Sequence, residues 1–219
     1  MHNRTLNHKP DVCVSCACFI SSYSQSVYLE EGRCPDSKAV MFDPTEDPAV
    51  SYVEIWPSSD ISKRKSYSIA CWIKLKRYLS NNDYIQVIYS DWKREKFMLA
   101  IKSGKVYFVV NQALNENLHW RMKTAHERID LNKWTHVTAT WDGRTITLYV
   151  NGEERDGRKS FDIKRKKPDL PSVESATAFI AGNPYFKNYQ FLGAIMDLYI
   201  FGIALPQDNV IEVYSGELS

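Results

Sequence analysis

The chain has 219 residues, of which 44% are hydrophobic and 13% aromatic, and its formal net charge is +2. This length suits one all-β domain with a sizeable core. The near-neutral charge lacks the basic excess that is typical of nucleic-acid-binding proteins, so we expect no nucleic-acid partner. No apolar run approaches the ~20 residues that cross a bilayer, so we expect no transmembrane segment.

The first residues of the chain allow two interpretations. Residues 12–20 are mainly apolar and follow the basic stretch 4–9, an order that is found in signal peptides. A poorly ordered leader explains the same residues. We therefore predict a leader or signal peptide over residues 1–24 and a folded domain over residues 25–219.

Cysteine usage bears on this division of the chain. An odd number of cysteines cannot form a complete set of internal disulfides. The chain has five: Cys13, Cys16, Cys18, Cys34 and Cys71. Removal of residues 1–24 would leave Cys34 and Cys71 as a pair. A zinc site is a weaker interpretation, because the spacing of the first three cysteines fits no common knuckle.

Short strands separated by turns are predicted from about Gln25 onward. Tyr67–Leu75 has the clearest alternation, with Tyr67, Ile69, Cys71, Ile73 and Leu75 on one face. Similar runs predict further strands at Lys38–Phe42, Tyr52–Trp56, Tyr84–Tyr89, Phe97–Ile101 and Val106–Val110.

Two hairpins are predicted next along the chain. Trp134–Trp141 and Ile146–Val150 are strand-like, and Asp142-Gly143 and Asn151-Gly152 are strong signals for tight turns with positive φ. Only Pro206–Tyr214 has a helical pattern, which is long enough for one or two turns. The fold predicted from these elements is an all-β, two-sheet antiparallel β-sandwich, or jelly roll, with one short C-terminal helical turn.

The order of several motifs resembles that of laminin-G-like and pentraxin-type jelly rolls in the concanavalin A-like lectin/glucanase superfamily. These motifs are Ala39-Val-Met-Phe-Asp43, residues 67–74, Asn132-Lys-Trp-Thr-His-Val137, Trp141-Asp-Gly143, Leu148-Tyr-Val-Asn-Gly152, Phe179-Ile-Ala-Gly182 and residues 193–202 followed by Ala204-Leu-Pro. The resemblance covers residues 36 to 216 or so. It implies a two-sheet jelly roll, secreted or in an ectodomain, that binds glycans, matrix proteins or receptors.

The chain departs from the family pattern at three places. The pentraxin disulfide would need a second cysteine near Thr138, so a Cys34–Cys71 disulfide is the substitute that the resemblance suggests. The loop after Gly182 has few of the oxygen ligands that calcium requires. No strand carries the Glu-x-Asp-x-x-Glu motif of the catalytic members, and the five histidines form no catalytic arrangement.

Asp43 and Asp197 are the candidate metal ligands. Related jelly rolls hold a structural Ca²⁺ between the first and last strands, where these two carboxylates would lie. Strict alternation predicts that Asp197 lies on the same face of its strand as Ile195, Tyr199 and Phe201. The alternative is that Asp197 faces water or accepts backbone hydrogen bonds at a bulge, because calcium needs about six oxygens and only two ligands can be named.

Two groups of residues are candidates for ligand binding. The basic run Lys164, Arg165, Lys166 and Lys167, together with residues 63–65 and 158–159, would suit a sulfated glycan. The alternative is a solvated loop. Aromatic and amide side chains of a second loop would suit sugar rings, namely Asn183, Tyr185, Phe186 and Tyr189. Trp72, Trp134 and Trp141 are predicted to be core residues.

These observations predict a non-catalytic extracellular recognition or adhesion module that binds a glycan, sulfated or not, or an extracellular protein. The only cofactor that the resemblance suggests is a structural Ca²⁺. Two alternatives remain open: a structural domain of a larger matrix or adhesion protein, and a diverged glycoside hydrolase. The ligand and the oligomeric state do not follow from the sequence.

Overall fold

The computed structural model describes residues 12–14, 27–43, 51–55, 65–79, 85–91, 97–114, 117–166, 178–183 and 188–217. Tyr185, Phe186, Lys167 and most of the predicted leader lie outside these residues. The described ranges contain fifteen strands and one helix. The strands are β1 (Val12–Val14), β2 (Val27–Glu31), β3 (Lys38–Phe42), β4 (Val53–Ile55), β5 (Tyr67–Leu75), β6 (Gln86–Ser90), β7 (Phe97–Lys102), β8 (Lys105–Leu114), β9 (Asn117–Arg128), β10 (Trp134–Trp141), β11 (Ile146–Val150), β12 (Glu153–Arg155), β13 (Gly157–Lys166), β14 (Ala178–Ile180) and β15 (Gly193–Phe201), and the helix is α1 (Gln207–Ser215).

The strands form two antiparallel sheets, as the sequence predicted. One sheet has eight strands in the order β12-β11-β10-β5-β15-β3-β2, with β1 also paired to β15. The other has seven strands in the order β13-β9-β8-β7-β6-β14-β4. β1 falls within the predicted leader, and its three residues pair with Leu198–Ile200 of β15.

The main hydrophobic core lies between the two sheets. The alternating face predicted for β5 is confirmed, because Tyr67, Ile69, Cys71, Ile73 and Leu75 all belong to this core. Opposite them pack residues of the second sheet, including Leu99, Ile101, Phe108 and Val110. The burial of these apolar side chains is the main term that holds the two sheets together.

The outer face of the eight-stranded sheet carries two further clusters. Val210 and Val213 of α1 pack with Ala70, Tyr149 and Phe201. Trp72 and Trp134 lie beside them in a cluster with Ala39, Met41, Ala194 and Met196. Trp141 lies in the inter-sheet core and Trp72 is buried in the outer-face core cluster, so the core prediction is confirmed for both. Trp134 is half-buried and packs against that outer cluster.

Two local predictions are corrected by the backbone. The Asp142–Thr145 connection is longer than a two-residue turn: Gly143 alone has positive φ, and Asp142 Oδ1 accepts hydrogen bonds from the N–H groups of Arg144 and Thr145. In β15 the register shifts between Met196 and Tyr199, and Asp197 has φ 49°. Because a bulge changes the alternation, Ile195 packs in the inter-sheet core while Tyr199 and Phe201 pack on the outer face.

The described part of the chain contains no helix that is both long and apolar enough to cross a membrane.

Candidate functional site

A cleft opens where the end of β9, in one sheet, meets the start of β10 and the β11–β12 hairpin, in the other. We call it the end cleft. Its volume is about 230 Å³, which is below the range of about 300–1,000 Å³ that is usual for drug-sized ligands. Its lining combines apolar side chains, charged side chains, one indole and one amide: Ala125, Glu127, Arg128, Ile129, Asp130, Lys133, Trp134, Thr135, Val150, Asn151 and Arg155.

The β9–β10 loop forms the first wall of the end cleft, and both backbone polar groups of its residue Ile129 are hydrogen-bonded to other parts of the chain. Ile129 donates its N–H to the Gly104 carbonyl at 2.9 Å, and its own carbonyl accepts the Tyr78 hydroxyl at 2.6 Å. Asn132, at the left-handed φ of 58°, donates its N–H to the Leu75 carbonyl at 2.8 Å. These bonds tie the loop to strands of both sheets, so this wall is formed without a ligand.

The β11–β12 hairpin forms the second wall. Asn151 and Gly152 have φ values of 52° and 80°, which confirms the tight turn predicted there. Asn151 exchanges two hydrogen bonds of 2.9 Å with the backbone of His136. A Cβ at Gly152 would lie 3.1 Å from the Tyr214 ring, so the glycine also lets α1 approach the turn.

The rim of the end cleft carries charges of both signs, and they are paired with each other. Lys133 donates to Asp130 at 2.9 Å, and this hydrogen bond raises the pKa of the Lys133 ammonium group. Arg155 contacts Glu153 at 2.9 Å and Glu127 at 3.5 Å. The carboxylates of Glu127 and Asp130 are 75% and 68% exposed, so these pairs contribute little to stability but set the chemistry of the rim.

An aromatic cluster lies behind the second wall, on the outer face of the sheet. The ring centroids of Trp72, His136 and Tyr214 are 5.2 to 5.7 Å apart, and the Arg33 guanidinium lies 4.2 Å over the indole of Trp72. Burial, with a smaller contribution from Arg33, lowers the pKa of His136 to about 3. His136 is therefore neutral at physiological pH and acts as a packed ring.

Trp134 joins this cluster to the end cleft. Its half-buried indole lines the cleft, and the Lys74 ammonium lies 5.0 Å from its ring centroid. Glu30 holds Lys74 there through an ion pair of 2.7 Å. The indole is thus fixed in position by a cation–π contact on the outer face.

The predicted basic run lies in a strand. Lys164, Arg165 and Lys166 belong to β13, which is the last strand at one end of the seven-stranded sheet within the described residues. Arg158 and Lys159 lie in the same strand, and the position of Lys159 is opposite Lys123 of β9. The described part of the run therefore extends along an edge strand instead of a loop.

The predicted aromatic loop is described only at its two ends. Asn183 is fully buried, and its N–H donates to the Tyr189 carbonyl at 3.1 Å. Tyr189 is half-buried and packs against an apolar cluster on the outer face of the seven-stranded sheet. Asn183 is therefore buried and Tyr189 only half-exposed at the two described ends of this loop.

The two candidate metal ligands are not brought together. Phe42 lies opposite Gly193 and Val40 opposite Ile195, so Asp43 and Asp197 lie about 15 Å apart along β15. Lys76 donates to the Asp43 carboxylate. Burial raises the pKa of Asp197, and Arg33 opposes this shift. Within the described residues, no group of three or more His, Cys, Asp or Glu side chains could hold a metal ion.

Cys34 and Cys71 are also apart, and both are free thiols. Cys34 is exposed in the β2–β3 connection, whereas Cys71 faces the inter-sheet core and is fully buried. Burial, and then the charge of Asp197, raises the pKa of the Cys71 thiol. The structure therefore does not contain the substitute disulfide.

Sequence reasoning missed the end cleft. Its residues come from two separate segments, 125–135 and 150–155, and none of them belongs to a recognisable binding motif. The one local signal was the Asn151-Gly152 turn, which predicts a hairpin but does not show what the hairpin faces.

Residues 47–211 of the chain match the laminin G family model that is described as "Concanavalin A-like lectin/glucanases superfamily". Human usherin is 29% identical over 91 residues, which are 42% of this chain and 2% of usherin. The chain thus spans a very small part of that relative.

Solved structures share the fold at low identity. The binding domain of Paraclostridial Mosquitocidal Protein 1 has a TM-score of 0.62 at 18% identity, over 88% of this chain and 46% of that one. Domain 4 of AbnA, a GH43 extracellular arabinanase from Geobacillus stearothermophilus, has a TM-score of 0.53 at 16% identity, over 87% of this chain and 82% of that one. That domain was solved in complex with arabinotriose.

Proposed function

Because the chain belongs to the laminin G branch of the concanavalin A-like lectin/glucanases superfamily, we propose that it is a non-catalytic, extracellular recognition module for a glycan or a protein. The observation that carries this proposal is the end cleft, with its apolar floor and its rim of paired charges. Such a lining offers hydrogen-bonding groups around a surface that excludes water, which is the general character of a binding site.

The carboxylates of the end cleft support a non-catalytic role. A glycoside hydrolase needs two carboxyl groups that flank the scissile bond, one of them kept protonated by its surroundings. Glu127 and Asp130 are exposed and ion-paired with Arg155 and Lys133. Asp197 is half-buried and its pKa is raised, but β15 carries no second carboxylate to work with it.

Two fold relatives agree with a binding role and an extracellular location. The mosquitocidal protein's domain is described as a binding domain. The arabinanase domain is part of an extracellular enzyme and was solved with an oligosaccharide. At 16% to 18% identity these structures share the fold with our chain, and their ligands do not transfer to it.

The basic residues of β13 favour a second ligand surface, because this strand lies at one end of its sheet. The strand holds five basic residues, Arg158, Lys159, Lys164, Arg165 and Lys166, along one edge of a sheet. Guanidinium and ammonium groups at such an edge would attract sulfated glycans through an interaction that weakens with salt. A structural Ca²⁺ is a separate proposal. Because Asp43 and Asp197 lie apart along β15, only one of these two carboxylates would be a ligand of the ion.

The test is binding of the purified chain to an array of neutral, acidic and sulfated glycans, in calcium and again in EDTA, together with an assay of β-glucan hydrolysis. We expect binding without hydrolysis. Loss of binding in EDTA would support a functional cation. Hydrolysis would overturn the non-catalytic proposal, and failure to bind any glycan or any extracellular protein would leave a structural role as the better account.

A further inference from the structure

We infer that the end cleft binds a single neutral sugar unit, and that it does not select sulfated or carboxylated sugars. This inference rests on the proposed recognition function and adds to it the site and the chemical class of the ligand.

The pairing of the rim charges argues for a neutral ligand. Arg155 faces Glu127 and Glu153, and Lys133 faces Asp130. An anionic ligand would have to compete with these carboxylates for each cation. A neutral ligand need not, because a paired guanidinium retains N–H donors and a paired carboxylate retains lone pairs. Hydroxyl groups, which both donate and accept, match such a mixed rim.

The floor of the cleft matches the apolar face of a sugar ring. Val150 is half-buried and offers apolar surface to the cleft, whereas Ala125, Ile129 and Thr135 are only 3% to 5% exposed and add small patches to it. The indole of Trp134 forms part of the same lining. A sugar ring presents C–H groups on its face and hydroxyl groups around its edge, so the ring would lie over the floor with its hydroxyls toward the rim.

The volume limits the ligand to one unit. The cavity of about 230 Å³ is smaller than the pockets of about 300–1,000 Å³ that hold drug-sized ligands, so we infer that it accommodates roughly one sugar ring. The rest of an oligosaccharide would extend into solvent.

Both walls are in place before a ligand arrives, which reduces the entropy lost on binding. Ile129 is held by Gly104 and Tyr78 on the first wall. Asn151 is held by His136 on the second.

The experiment titrates the ¹⁵N-labelled chain with methyl glycosides of neutral hexoses and pentoses, and separately with a heparin-derived oligosaccharide. We expect neutral glycosides to shift the amide signals of Ile129, Thr135 and Asn151. Asp130→Asn and Arg155→Gln should each weaken this binding roughly tenfold, because each variant replaces a charge-assisted hydrogen bond to the sugar by a weaker neutral one.

Two exposed residues outside the cleft provide matched controls, Asp208→Asn and Arg144→Gln. Both should bind neutral glycosides like the unmodified chain, and thermal melting should show that all four variants are folded. Heparin binding should be unchanged by Asp130→Asn.

Each other outcome overturns the inference. If neutral glycosides bind but shift amides away from the cleft, or if the rim variants bind them equally well, the site is wrong while the recognition function stands. If only heparin binds, the ligand class is wrong and another surface performs recognition. If only a protein partner shifts the cleft amides, the cleft accepts a side chain instead of a sugar. If no glycan and no protein binds, the proposed function fails together with the inference.

Discussion

His136 and Asn151 are joined by two reciprocal hydrogen bonds of 2.9 Å. The His136 N–H donates to the side-chain oxygen of Asn151, and the Asn151 N–H donates to the His136 carbonyl. His136 is 1% exposed and packs in the aromatic cluster, whereas Asn151 lines the end cleft. One asparagine side chain therefore connects a buried ring on the outer face of the sheet to the wall of the candidate site.

Asn151→Ala should lower the free energy of unfolding by about 2–4 kcal/mol, because a buried N–H loses its acceptor and a side chain is forced to φ 52°. Asn151→Asp keeps an acceptor and tolerates this φ, so its loss should be below about 1 kcal/mol. Asn151→Gly should lie between the two. Urea unfolding measures all three, and equal losses for the alanine and aspartate variants would contradict the role of the side chain.

The low pKa of His136 should make stability depend on pH. The folded state takes up its proton near pH 3, but the unfolded state does so near pH 6.5. Between these values the unfolded state binds more protons, so the free energy of unfolding falls as the pH is lowered, by up to about 1.4 kcal/mol per unit. His136→Phe should flatten this slope when unfolding is measured from pH 7 to pH 4.

Gly193 and Gly216 make a matched pair of glycine substitutions. Both have positive φ, but a Cβ at Gly193 would lie within 2.2 Å of the Lys74 carbonyl oxygen, whereas a Cβ at Gly216 would meet nothing within 4 Å. Gly216→Ala should cost about 1 kcal/mol, the usual strain of this backbone region. Gly193→Ala should cost at least 3 kcal/mol more or prevent folding, because β5 and β15 would be forced apart. Thermal melting of both variants checks this difference, and similar melting temperatures would contradict it.

Cys34 and Cys71 should differ in reactivity. Cys34 is exposed, and Cys71 is buried with a raised pKa. Because the thiolate is the reactive form, brief treatment of the native chain with iodoacetamide should modify Cys34 and leave Cys71 intact until urea is added. Peptide mass spectrometry reads out both sites. A Cys34–Cys71 disulfide in the isolated protein would contradict the structure and support the pairing that the resemblance suggested.

The variant Asp197→Asn distinguishes two possible roles of Asp197: a partly buried carboxylate that destabilises the fold, or a ligand of calcium. The raised pKa of Asp197 means that its ionised form is disfavoured by folding, and asparagine tolerates φ 49°. In EDTA at neutral pH the variant should be more stable by a few tenths of a kcal/mol up to about 1, after allowance for solvent screening. The advantage should shrink as the pH falls and Asp197 is protonated. If calcium raises the melting temperature of the unmodified chain but not of the variant, the calcium proposal gains support instead; Asp208→Asn is the control.

The strands that the sequence predicted are those that bury one face in the inter-sheet core. In β5 and β10 the apolar residues alternate because they meet the opposite sheet. β9 and β13 were missed, since Asn117–Arg128 and Gly157–Lys166 are rich in charged residues and lie toward one edge of their sheet. A polar strand toward the edge of a sheet has little apolar periodicity to detect.

The candidate site was less predictable than the fold. An indole is usually a core residue, which is the basis for expecting Trp134 in the core. Alternation from Val137 to Trp141 puts Trp134 on the opposite face of β10, but it does not show that the indole also lines a cleft. The carboxylate of Asp197 was placed by strict alternation, which fails at the β15 bulge. The ion pair between Lys133 and Asp130 becomes part of a site only because the fold brings Val150, Asn151 and Arg155 to the same cleft.

The central position of β15 has a consequence for the order of folding. β15 pairs with β5 along one edge and with β3 and β1 along the other. Residues near 40 and near 70 therefore have no neighbour between them until residues 193–201 have been synthesised. Contacts of such large sequence separation close slowly and expose strand edges meanwhile. During synthesis, β3 and β5 each have an unpaired edge until β15 has been made. A nascent chain that stalls before β15 would therefore expose two strand edges and be prone to aggregation.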